Sequence, residues 1–323
     1  MNAIRRPYNP SRDFGRVRGF LADTFALYGG PFNWPIDRWN FCRYFVIPIH
    51  TFQNTRRFGV PTQEGAAGRD ELAFWERTVF IWEDETGSIV GVLHTENEEA
   101  GEAWVQIHPD WTHLYDEIAA CAEEHLADRV DGVGYVKLYV QDGSELEGVA
   151  RARGYRKLDS QDRYLEYVTG HVPAPQLPDG FAIRSVAEED NVEKRRIVRA
   201  MAFGGRYAPS QWPPASAFTE MQEAPDYRAD LDLFVAAPGG EYAAFCTLWL
   251  DEANRYGNFE PVGTHIEYQG RGLGRALLME GLYRAAALGA TRSFMLSGNP
   301  FYRKVGFRET QWSYSQWIKY FEA

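Results

Sequence analysis

A glycine-rich segment that leads directly into an amphipathic helix constrains this chain more than any other feature. Gln269–Gly274 carries glycine at every second position, and apolar residues then recur at steps of three and four over a helix predicted at Gly272–Leu288. Gly289 supplies a helix stop. A helix N-terminus offers unpaired N–H groups and partial positive charge, and glycines let a bulky anion approach them. With Arg271 and Arg275 nearby, the segment predicts an anion cradle suited to a pyrophosphate.

Two common phosphate-binding motifs do not fit this segment. A P-loop needs Gly-Lys followed by Ser or Thr, but Arg275-Ala276 stands here. A dinucleotide fingerprint needs the spacing G-x-G-x-x-G and an acidic residue about 20 positions later. This loop has the spacing G-x-G-x-G, and Phe294 stands where the acidic residue would be. A glycine-rich turn without a ligand stays open as an alternative, although the position between a strand and a helix favours a binding role.

The length of 323 residues predicts two domains. Residues 170–180 are rich in proline and lack periodicity, which is typical of an extended linker. The predicted division is therefore a first domain at 1–169, a linker at 170–180 and a second domain at 181–323.

The two halves repeat one order of predicted elements. In the second half, strands and helices are predicted at 181–186 (strand), 188–203 (helix), 216–223 (helix), 231–237, 242–250 and 259–265 (strands), 272–288 (helix), 292–296 (strand), 299–305 (helix) and 307–314 (strand). In the first half they are predicted at 11–27 (helix), 78–82, 89–95 and 103–107 (strands), 111–126 (helix), 135–140 (strand) and 144–153 (helix).

Two short matches support a duplication. Val105–Asp110 resembles Val262–Glu267, and Arg153–Arg156 resembles Val305–Arg308, in the same order and at nearly the same offset. The fold class expected is α/β (α+β), with two tandem domains that each contain a mixed, mostly antiparallel sheet flanked by helices.

The glycine-rich segment matches the Q/R-x-x-G-x-G/A signature of the GNAT N-acetyltransferase superfamily. The stretch before it, Val262–Tyr268, resembles the fourth strand of that family and its exit. Asn299 and the run Tyr302–Phe307 resemble the family element N…Y-x-x-x-G-F. The resemblance in motif covers about residues 258–310, and in element order it covers 181–323 and, more faintly, the first half.

This resemblance implies a sheet whose fourth and fifth strands separate, with the pantetheine arm of acetyl-CoA in the gap. It implies that the strand backbone binds the pantetheine and polarises the thioester carbonyl, that the loop holds the pyrophosphate, and that Asn299 contacts the pantetheine arm. The residues expected to bind acetyl-CoA are Val262, Gly263, Thr264, Gln269, Gly270, Arg271, Gly272, Leu273, Gly274, Arg275 and Asn299.

Acetyl transfer to an amine needs a proton acceptor, a stabilised carbonyl oxygen and a proton for the departing thiolate. By resemblance Tyr302 is the general acid. Glu260 lies two residues before Val262, and side chains alternate along a strand with a period of two, so both are expected on the same face of the strand. Glu260 is therefore a candidate base. Glu260 as a surface or substrate-orienting residue stays open, and His265 is a second candidate base for which a structural role at the strand exit is favoured.

The first half departs from the signature. Trp111–Asp116 contains no glycine, and Asp110 and Asp116 repel phosphate. Aligning Gly154 with Gly306 puts Ala150 where the second half has Tyr302. We therefore expect a degenerate GNAT-like first domain that binds no coenzyme.

The function expected is an acetyl-CoA-dependent N-acetyltransferase that acts on a small-molecule amine and needs no metal. A mycothiol-synthase-like enzyme acting on an amino-sugar conjugate is one alternative. A non-catalytic acyl-CoA sensor or scaffold is another, from a different class. The intact loop argues against the aminoacyl-tRNA-dependent relatives that also double this fold.

Charge, hydropathy and cysteine content limit the binding partners and the cell compartment that we expect for this protein. The net charge of −11 does not suit binding to nucleic acid. The sequence contains no run of 18 apolar residues, so no membrane span is expected. The three cysteines are far apart in sequence and no secretory signal precedes the first domain, so a cytoplasmic protein is expected. The sequence does not indicate an oligomeric state.

Overall fold

The computed structural model describes residues 2–49, 71–96, 100–203, 209 and 212–321, and the chain divides into two compact units. The first unit comprises Met1–Tyr164 together with Thr310–Ala323, and the second comprises Leu165–Glu309. This division differs from the predicted one, because the final strand belongs to the first unit. The proline-rich segment lies in the second unit, where Val172 and Leu177 pack against the core.

Strands and helices are numbered here along the whole chain. The strands are β1 (Ala3–Pro7), β2 (Phe80–Asp84), β3 (Ile89–His94), β4 (Glu102–Ile107), β5 (Asp128–Val130), β6 (Val133–Gln141), β7 (Arg156–Val168), β8 (Ala182–Ser185), β9 (Asp232–Ala236), β10 (Tyr242–Asp251), β11 (Tyr256–Thr264), β12 (Arg292–Leu296) and β13 (Arg308–Phe321). The α-helices are α1 (Asp13–Tyr28), α2 (Ile36–Phe41), α3 (Glu71–Arg77), α4 (Tyr115–His125), α5 (Leu146–Ala152), α6 (Val192–Phe203), α7 (Ala215–Gln222), α8 (Leu273–Ala287) and α9 (Pro300–Val305). A π-helical turn at Cys42–Val46 continues α2, and short 3-10 helices lie at Pro109–Leu114 and Ile266–Tyr268. Among these described helices, none is both long and apolar enough to cross a membrane.

The first unit contains a mixed sheet in the order β1-β2-β3-β4-β6-β13. The pairs β1–β2, β2–β3, β3–β4 and β6–β13 are antiparallel, and β4–β6 is parallel. The short β5 pairs with β6. Helix α4 packs over this sheet through buried apolar residues such as Ile118 and Ala122.

The second unit repeats the arrangement with the order β8-β9-β10-β11-β12, in which only β11–β12 is parallel. The last residues of β7 lie beside β12, where Thr169 donates to the Ala290 carbonyl. Helix α8 packs on β11 very closely, because a Cβ at Gly281 would lie 2.6 Å from the Phe259 ring. Because glycine has no Cβ, α8 can approach the sheet closely at this position.

The predicted architecture of mixed, mostly antiparallel sheets flanked by helices is confirmed. Several boundaries differ for local reasons. Helix α6 begins at Val192 and not at Glu188, because the Asn191 side chain accepts from the Lys194 N–H and caps the helix. The predicted strand at 307–314 continues to Phe321. The strands β1, β5 and β7 and the helices α2 and α3 were not predicted.

The exit of the parallel strand has the same geometry in both units. In the first, the Nδ1 atom of His108 accepts from the Asp110 N–H at 3.2 Å, and a 3-10 helix follows. In the second, Nδ1 of His265 accepts from the Glu267 N–H, also at 3.2 Å, and a 3-10 helix follows. The sequence match between these two stretches therefore reflects one repeated structural element.

The second sequence match has a structural counterpart as well. Gly154 and Gly306 both have positive φ, of 84° and 126°. The Tyr155 N–H donates to the Ala150 carbonyl at 2.9 Å, and the Phe307 N–H donates to the Tyr302 carbonyl at 3.1 Å. Ala150 thus occupies the position in the first unit that Tyr302 occupies in the second.

Candidate functional site

The candidate site of the second unit lies where β11 and β12 stop pairing. The parallel pairing covers Tyr256–Asn258 against Arg292–Phe294 and ends there, although β11 continues to Thr264. The residues of β11 beyond Phe259 are half-buried, whereas those before it are buried. The end of β11 therefore presents an edge to which an extended ligand can hydrogen-bond, as an added strand would.

A β-bulge interrupts β11 at the start of this edge. Cys246 of β10 pairs with Val262 and Leu248 pairs with Phe259, so the single residue between Cys246 and Leu248 faces two residues, Glu260 and Pro261. Phe259 and Val262 both pack against the same core, which a regular alternation would not allow at a spacing of three. The expectation that Glu260 shares the face of Val262 is therefore wrong, because the bulge resets the alternation.

The glycine-rich loop has a backbone conformation that requires its first two glycines. Gly270 and Gly272 have φ of 76° and 80°, and Gly272 precedes α8 without any side-chain cap. A Cβ at either position would meet no atom within 4 Å, so conformation and not crowding demands glycine there. At Gly274 the reason is space, because a Cβ would lie 3.2 Å from the Thr264 Oγ1 and 3.4 Å from the Phe301 ring.

The side chains of the loop have distinct roles. The Gln269 amide donates to the Thr264 carbonyl at 3.3 Å and so ties the loop to the end of β11. Arg271 donates to the Glu267 carbonyl and lies over the Tyr268 ring at 5.2 Å, on the exposed side of the loop. Arg275 donates instead to the Lys304 carbonyl at 3.1 Å, so it links α8 to the C-terminal end of α9.

Helix α9 carries the other two predicted site residues. The Asn299 side chain accepts from the Phe301 N–H at 2.9 Å and caps the helix. Tyr302 is half-buried and contacts Phe301 and Phe307, with ring centroids 5.1 and 6.3 Å away. Burial, followed by the negative charge of Glu260, raises the pKa of Tyr302 to about 12.

His265 lies between β11 and the loop and serves the local structure. It is 9% exposed, and burial lowers the pKa of its imidazole. Its backbone N–H donates to the Ala243 carbonyl, its Nδ1 caps the following 3-10 helix, and its ring contacts Tyr268 edge-on at 5.4 Å. These contacts orient the chain as it leaves β11 toward the glycines.

Sequence reasoning missed the residues that support the bulge. The Trp249 indole N–H donates to the Glu260 carbonyl at 2.8 Å. Beside it lies a buried ion pair between Arg195 and Asp232. The signal available in the sequence was Asp232 itself, a carboxylate within the otherwise apolar strand Leu231–Ala237.

The first unit uses its own side chains at the corresponding strand edge. Its parallel pairing also covers three residues and ends at Trp104 and Tyr139, whose rings stack at 3.9 Å. Beyond this point the Asn33 side chain donates to the Ile107 carbonyl at 2.9 Å and accepts from the Ile107 N–H at 3.0 Å. Protein groups therefore already hydrogen-bond to the edge of β4.

The helix after that edge is also unsuited to phosphate. A 3-10 helix runs without a left-handed glycine into α4, whose first turn contains Asp116 and Glu117. Asp116 accepts from Arg153, and Glu117 accepts from the Trp82 indole N–H. Carboxylates already occupy the positive end of this helix dipole.

Across the described part of the chain, which lacks 50–70, 97–99 and parts of 204–211, no group of three or more His, Cys, Asp or Glu side chains could hold a metal ion.

Comparison with known proteins identifies the domain. The family described as "Acetyltransferase (GNAT) domain" matches residues 229–309. A GCN5-related N-acetyltransferase from Sphaerobacter thermophilus superposes with a TM-score of 0.61 at 16% identity, covering 98% of this chain and 95% of that one. No curated protein sequence matches the chain.

Two further solved structures extend over nearly the whole chain. A tandem GNAT protein from the clavulanic acid biosynthesis pathway has a TM-score of 0.57 at 14% identity, covering 99% and 98% of the two chains. A GNAT-family acetyltransferase from Colwellia psychrerythraea has a TM-score of 0.53 at 12% identity, covering 99% and 100%. Residues 229–309 therefore match the GNAT domain family, and the whole chain shares its fold with these solved structures.

Proposed function

We propose that this tandem GNAT-fold protein is an acetyl-CoA-dependent N-acetyltransferase that acetylates the amine of a small molecule, with a single active site in the second unit. One observation carries the proposal. The two left-handed glycines, Gly270 and Gly272, precede the uncapped N-terminus of α8, beside the part of β11 beyond Asn258 that no longer pairs with β12. An anion site and a strand edge at this spacing suit the pyrophosphate and the amide-containing arm of one coenzyme.

The coenzyme would use the backbone more than side chains. The N–H groups of Leu273, Gly274 and Arg275 fall in the first turn of α8, where the helix provides them with no internal acceptor. Arg271 would add charge from the exposed side of the loop. The pantetheine arm would lie along Val262–Thr264, and Asn299 would flank it from the start of α9.

The proposed reaction is a direct attack. The amine nitrogen forms a C–N bond with the thioester carbonyl carbon, the C–S bond breaks, and coenzyme A leaves as its thiol. One proton departs from the attacking nitrogen, and one proton reaches the sulfur. A backbone N–H of the β11 edge would stabilise the negative charge that develops on the carbonyl oxygen.

Tyr302 is proposed as the acid that protonates the sulfur. With a pKa near 12 its phenol stays protonated at neutral pH. The apolar contacts with Phe301 and Phe307 that surround this ring also disfavour a charged thiolate at the same place. Burial therefore keeps the phenol protonated and makes an uncharged sulfur more favourable than a thiolate.

Glu260 is proposed as the base that takes the amine proton, through a water molecule. Its negative charge contributes, after burial, to the raised pKa of Tyr302. The bulge at Glu260 and Pro261 moves this carboxylate off the face that Val262 turns toward the core.

The first unit is proposed to have a structural role without coenzyme, because its own side chains hydrogen-bond to the strand edge and its helix start is acidic. The three cysteines are free and buried, which suits action in a reducing cytoplasm. The partner proposed is the small-molecule amine alone, with neither nucleic acid nor membrane.

The test uses the purified full chain with acetyl-CoA and detects released thiol. The acceptor probes are glucosamine, spermidine, lysine methyl ester and phenylethylamine, which sample amino sugars, polyamines, amino acids and aryl amines. We expect turnover with at least one class, strongly reduced but still measurable in Tyr302→Phe and in Glu260→Gln. Absence of acetyl-CoA binding contradicts the coenzyme site. Binding without transfer to any amine, over a wider panel as well, supports a sensor and contradicts the enzyme.

A further inference from the structure

We propose that Trp249 is a positioning residue for this reaction, which holds the Glu260–Pro261 bulge in place and is itself fixed by Tyr227 and Asp232. The inference rests on the proposed function for its catalytic consequence. Its structural part concerns the shape of β11 and stands on contacts among described residues of the second unit.

The bulge needs support because of its composition. Two residues of β11 face one residue of β10 there, so the regular ladder of hydrogen bonds is interrupted. The peptide unit between Glu260 and Pro261 has no N–H, because proline lacks one. The Glu260 carbonyl is therefore the one polar backbone group through which this peptide can be oriented.

Trp249 supplies the donor for that carbonyl. Its indole N–H lies 2.8 Å from the Glu260 oxygen, and the residue is 2% exposed. It stands on β10 two positions after Thr247, the residue that faces the bulge, so both side chains leave the strand on the same face. A rigid buried indole thus sets the plane of the peptide that carries the proposed base.

The indole is fixed from its other side. The Tyr227 ring contacts the Trp249 ring edge-on, with centroids 6.1 Å apart. The Tyr227 hydroxyl donates to Oδ2 of Asp232 at 2.7 Å, so the tyrosine cannot rotate freely without losing a buried hydrogen bond.

Asp232 joins these side chains into one cluster. Its Oδ2 also accepts from Arg195 of α6, and its Oδ1 accepts from Thr247 of β10 at 3.1 Å. Arg195 and Asp232 are 6% and 4% exposed. A buried carboxylate with three side-chain donors is a rigid anchor, because breaking any of these bonds leaves a desolvated group.

The consequence for the reaction follows from position. Glu260 lies at the bulge and Val262 lies two residues further, where the strand edge would meet the thioester. If the Glu260 carbonyl loses the indole donor, the peptide at the bulge turns and the Glu260 carboxylate is displaced. Misplacement of a reacting group by about 1 Å costs up to about 100-fold in rate.

The main variant is Trp249→Phe, which keeps a buried ring and removes the donor. The matched control is Trp75→Phe in the first unit, where a fully buried indole N–H donates to the Thr95 carbonyl at 2.7 Å. Tyr227→Phe is a milder second variant, because it keeps the ring contact and removes only the bond to Asp232. Thermal unfolding establishes that each variant folds.

The first measurement is hydrogen–deuterium exchange of peptides covering residues 259–264, which needs no acceptor. We expect faster exchange in Trp249→Phe and, to a smaller extent, in Tyr227→Phe, with no change in Trp75→Phe. Unchanged exchange in the folded Trp249→Phe chain overturns the proposal.

The second measurement is kinetic and uses the best acceptor among the four amines. We expect kcat to fall about 10- to 100-fold in Trp249→Phe while the Kd for acetyl-CoA stays within about twofold. In a Glu260→Gln background, Trp249→Phe should lower kcat further by less than about threefold, since the indole acts through Glu260. Full additivity of the two changes overturns the positioning role.

The two proposals fail in different ways. If no amine is acetylated, the proposed function fails and the exchange result alone decides whether Trp249 holds the bulge. If acetylation proceeds and Trp249→Phe keeps wild-type kcat, the enzyme stands and the positioning role falls.

Discussion

Replacing Tyr302 by phenylalanine removes one hydroxyl from the proposed site and little else. The ring keeps its contacts with Phe301 and Phe307, and the backbone carbonyl of residue 302 still accepts from the Phe307 N–H. Within the part of the chain that the structure describes, the Tyr302 hydroxyl makes no side-chain hydrogen bond. We therefore expect the variant to fold with a change of less than about 1 kcal/mol in its free energy of unfolding.

The expected loss of activity follows from the acidity of this phenol. A proton passing from a group of pKa about 12 to a thiolate of ordinary pKa near 8.5 moves uphill by roughly 3.5 units, or about 4.8 kcal/mol. Transfer must therefore accompany cleavage of the C–S bond, as in general acid catalysis. That role is worth about 100- to 10,000-fold, so Tyr302→Phe should lower kcat by this factor, or about 2.7–5.4 kcal/mol.

The assay is thiol release at saturating acetyl-CoA and amine, from pH 6 to 9.5, with the Kd for acetyl-CoA measured in parallel. Since the pKa lies near 12, the free phenol stays protonated over this range, and the loss should not vary with pH. A loss below about threefold, in conditions where the chemical step limits turnover, refutes Tyr302 as the acid. An equal weakening of coenzyme binding would instead assign Tyr302 to binding.

Three predictions concern stability and are checked by chemical or thermal unfolding. Gly281→Val should cost about 1–3 kcal/mol, because its Cβ would lie 2.6 Å from the Phe259 ring, and a cost near zero would contradict the close packing of α8. Burial alone would raise the pKa of Asp13, but hydrogen bonds, led by the one from Arg6, outweigh burial and lower this pKa to about 2. The ionised Asp13 therefore stabilises the fold above about pH 4, and this stabilisation is lost as the pH falls toward 2. Asp13→Asn should cost about 3–5 kcal/mol at pH 7 and less at pH 2.5, whereas an equal cost at both would contradict the ion pair. Burial lowers the pKa of His94 to about 3, so this side chain takes up a proton below pH 6.5 only when the chain unfolds. The free energy of unfolding should therefore fall by about 1.4 kcal/mol per pH unit below pH 6.5, and His94→Gln should reduce this slope.

The local features of the second unit could be predicted from sequence because their causes are local. The loop and helix α8 follow from glycine positions and apolar spacing within a few residues. The repeat between His108 and His265 was also visible, since the same side chain makes the same short-range hydrogen bond in both units.

The features that escaped prediction depend on distant partners. The 14 residues of β13 continue directly from α9, yet from Thr310 onward they belong to the first unit, where they pair with β6. Nothing within that stretch encodes its partner. The bulge at Glu260 and Pro261 likewise depends on the register between β10 and β11, so a period of two placed Glu260 on the wrong face.

Arg275 illustrates how two suitable partners compete for one side chain. Its place in the first turn of α8 suggested a phosphate contact, but the carbonyl groups at the end of α9 lie within its reach. Sequence spacing gives the position of a guanidinium along a helix and does not give its nearest acceptor. The Arg275 contribution to coenzyme binding therefore stays a prediction.

Calorimetric titration of the full chain with acetyl-CoA tests the central claim of one coenzyme site, at the loop before α8, most directly. We expect one molecule bound per chain. Gly272→Val should weaken binding by at least about tenfold, because a β-branched residue does not adopt a φ of 80°. A change in the 3-10 helix that precedes α4, Thr112→Val, should leave the Kd unchanged. Two molecules per chain, or binding that withstands Gly272→Val and is lost in Thr112→Val, would contradict the account.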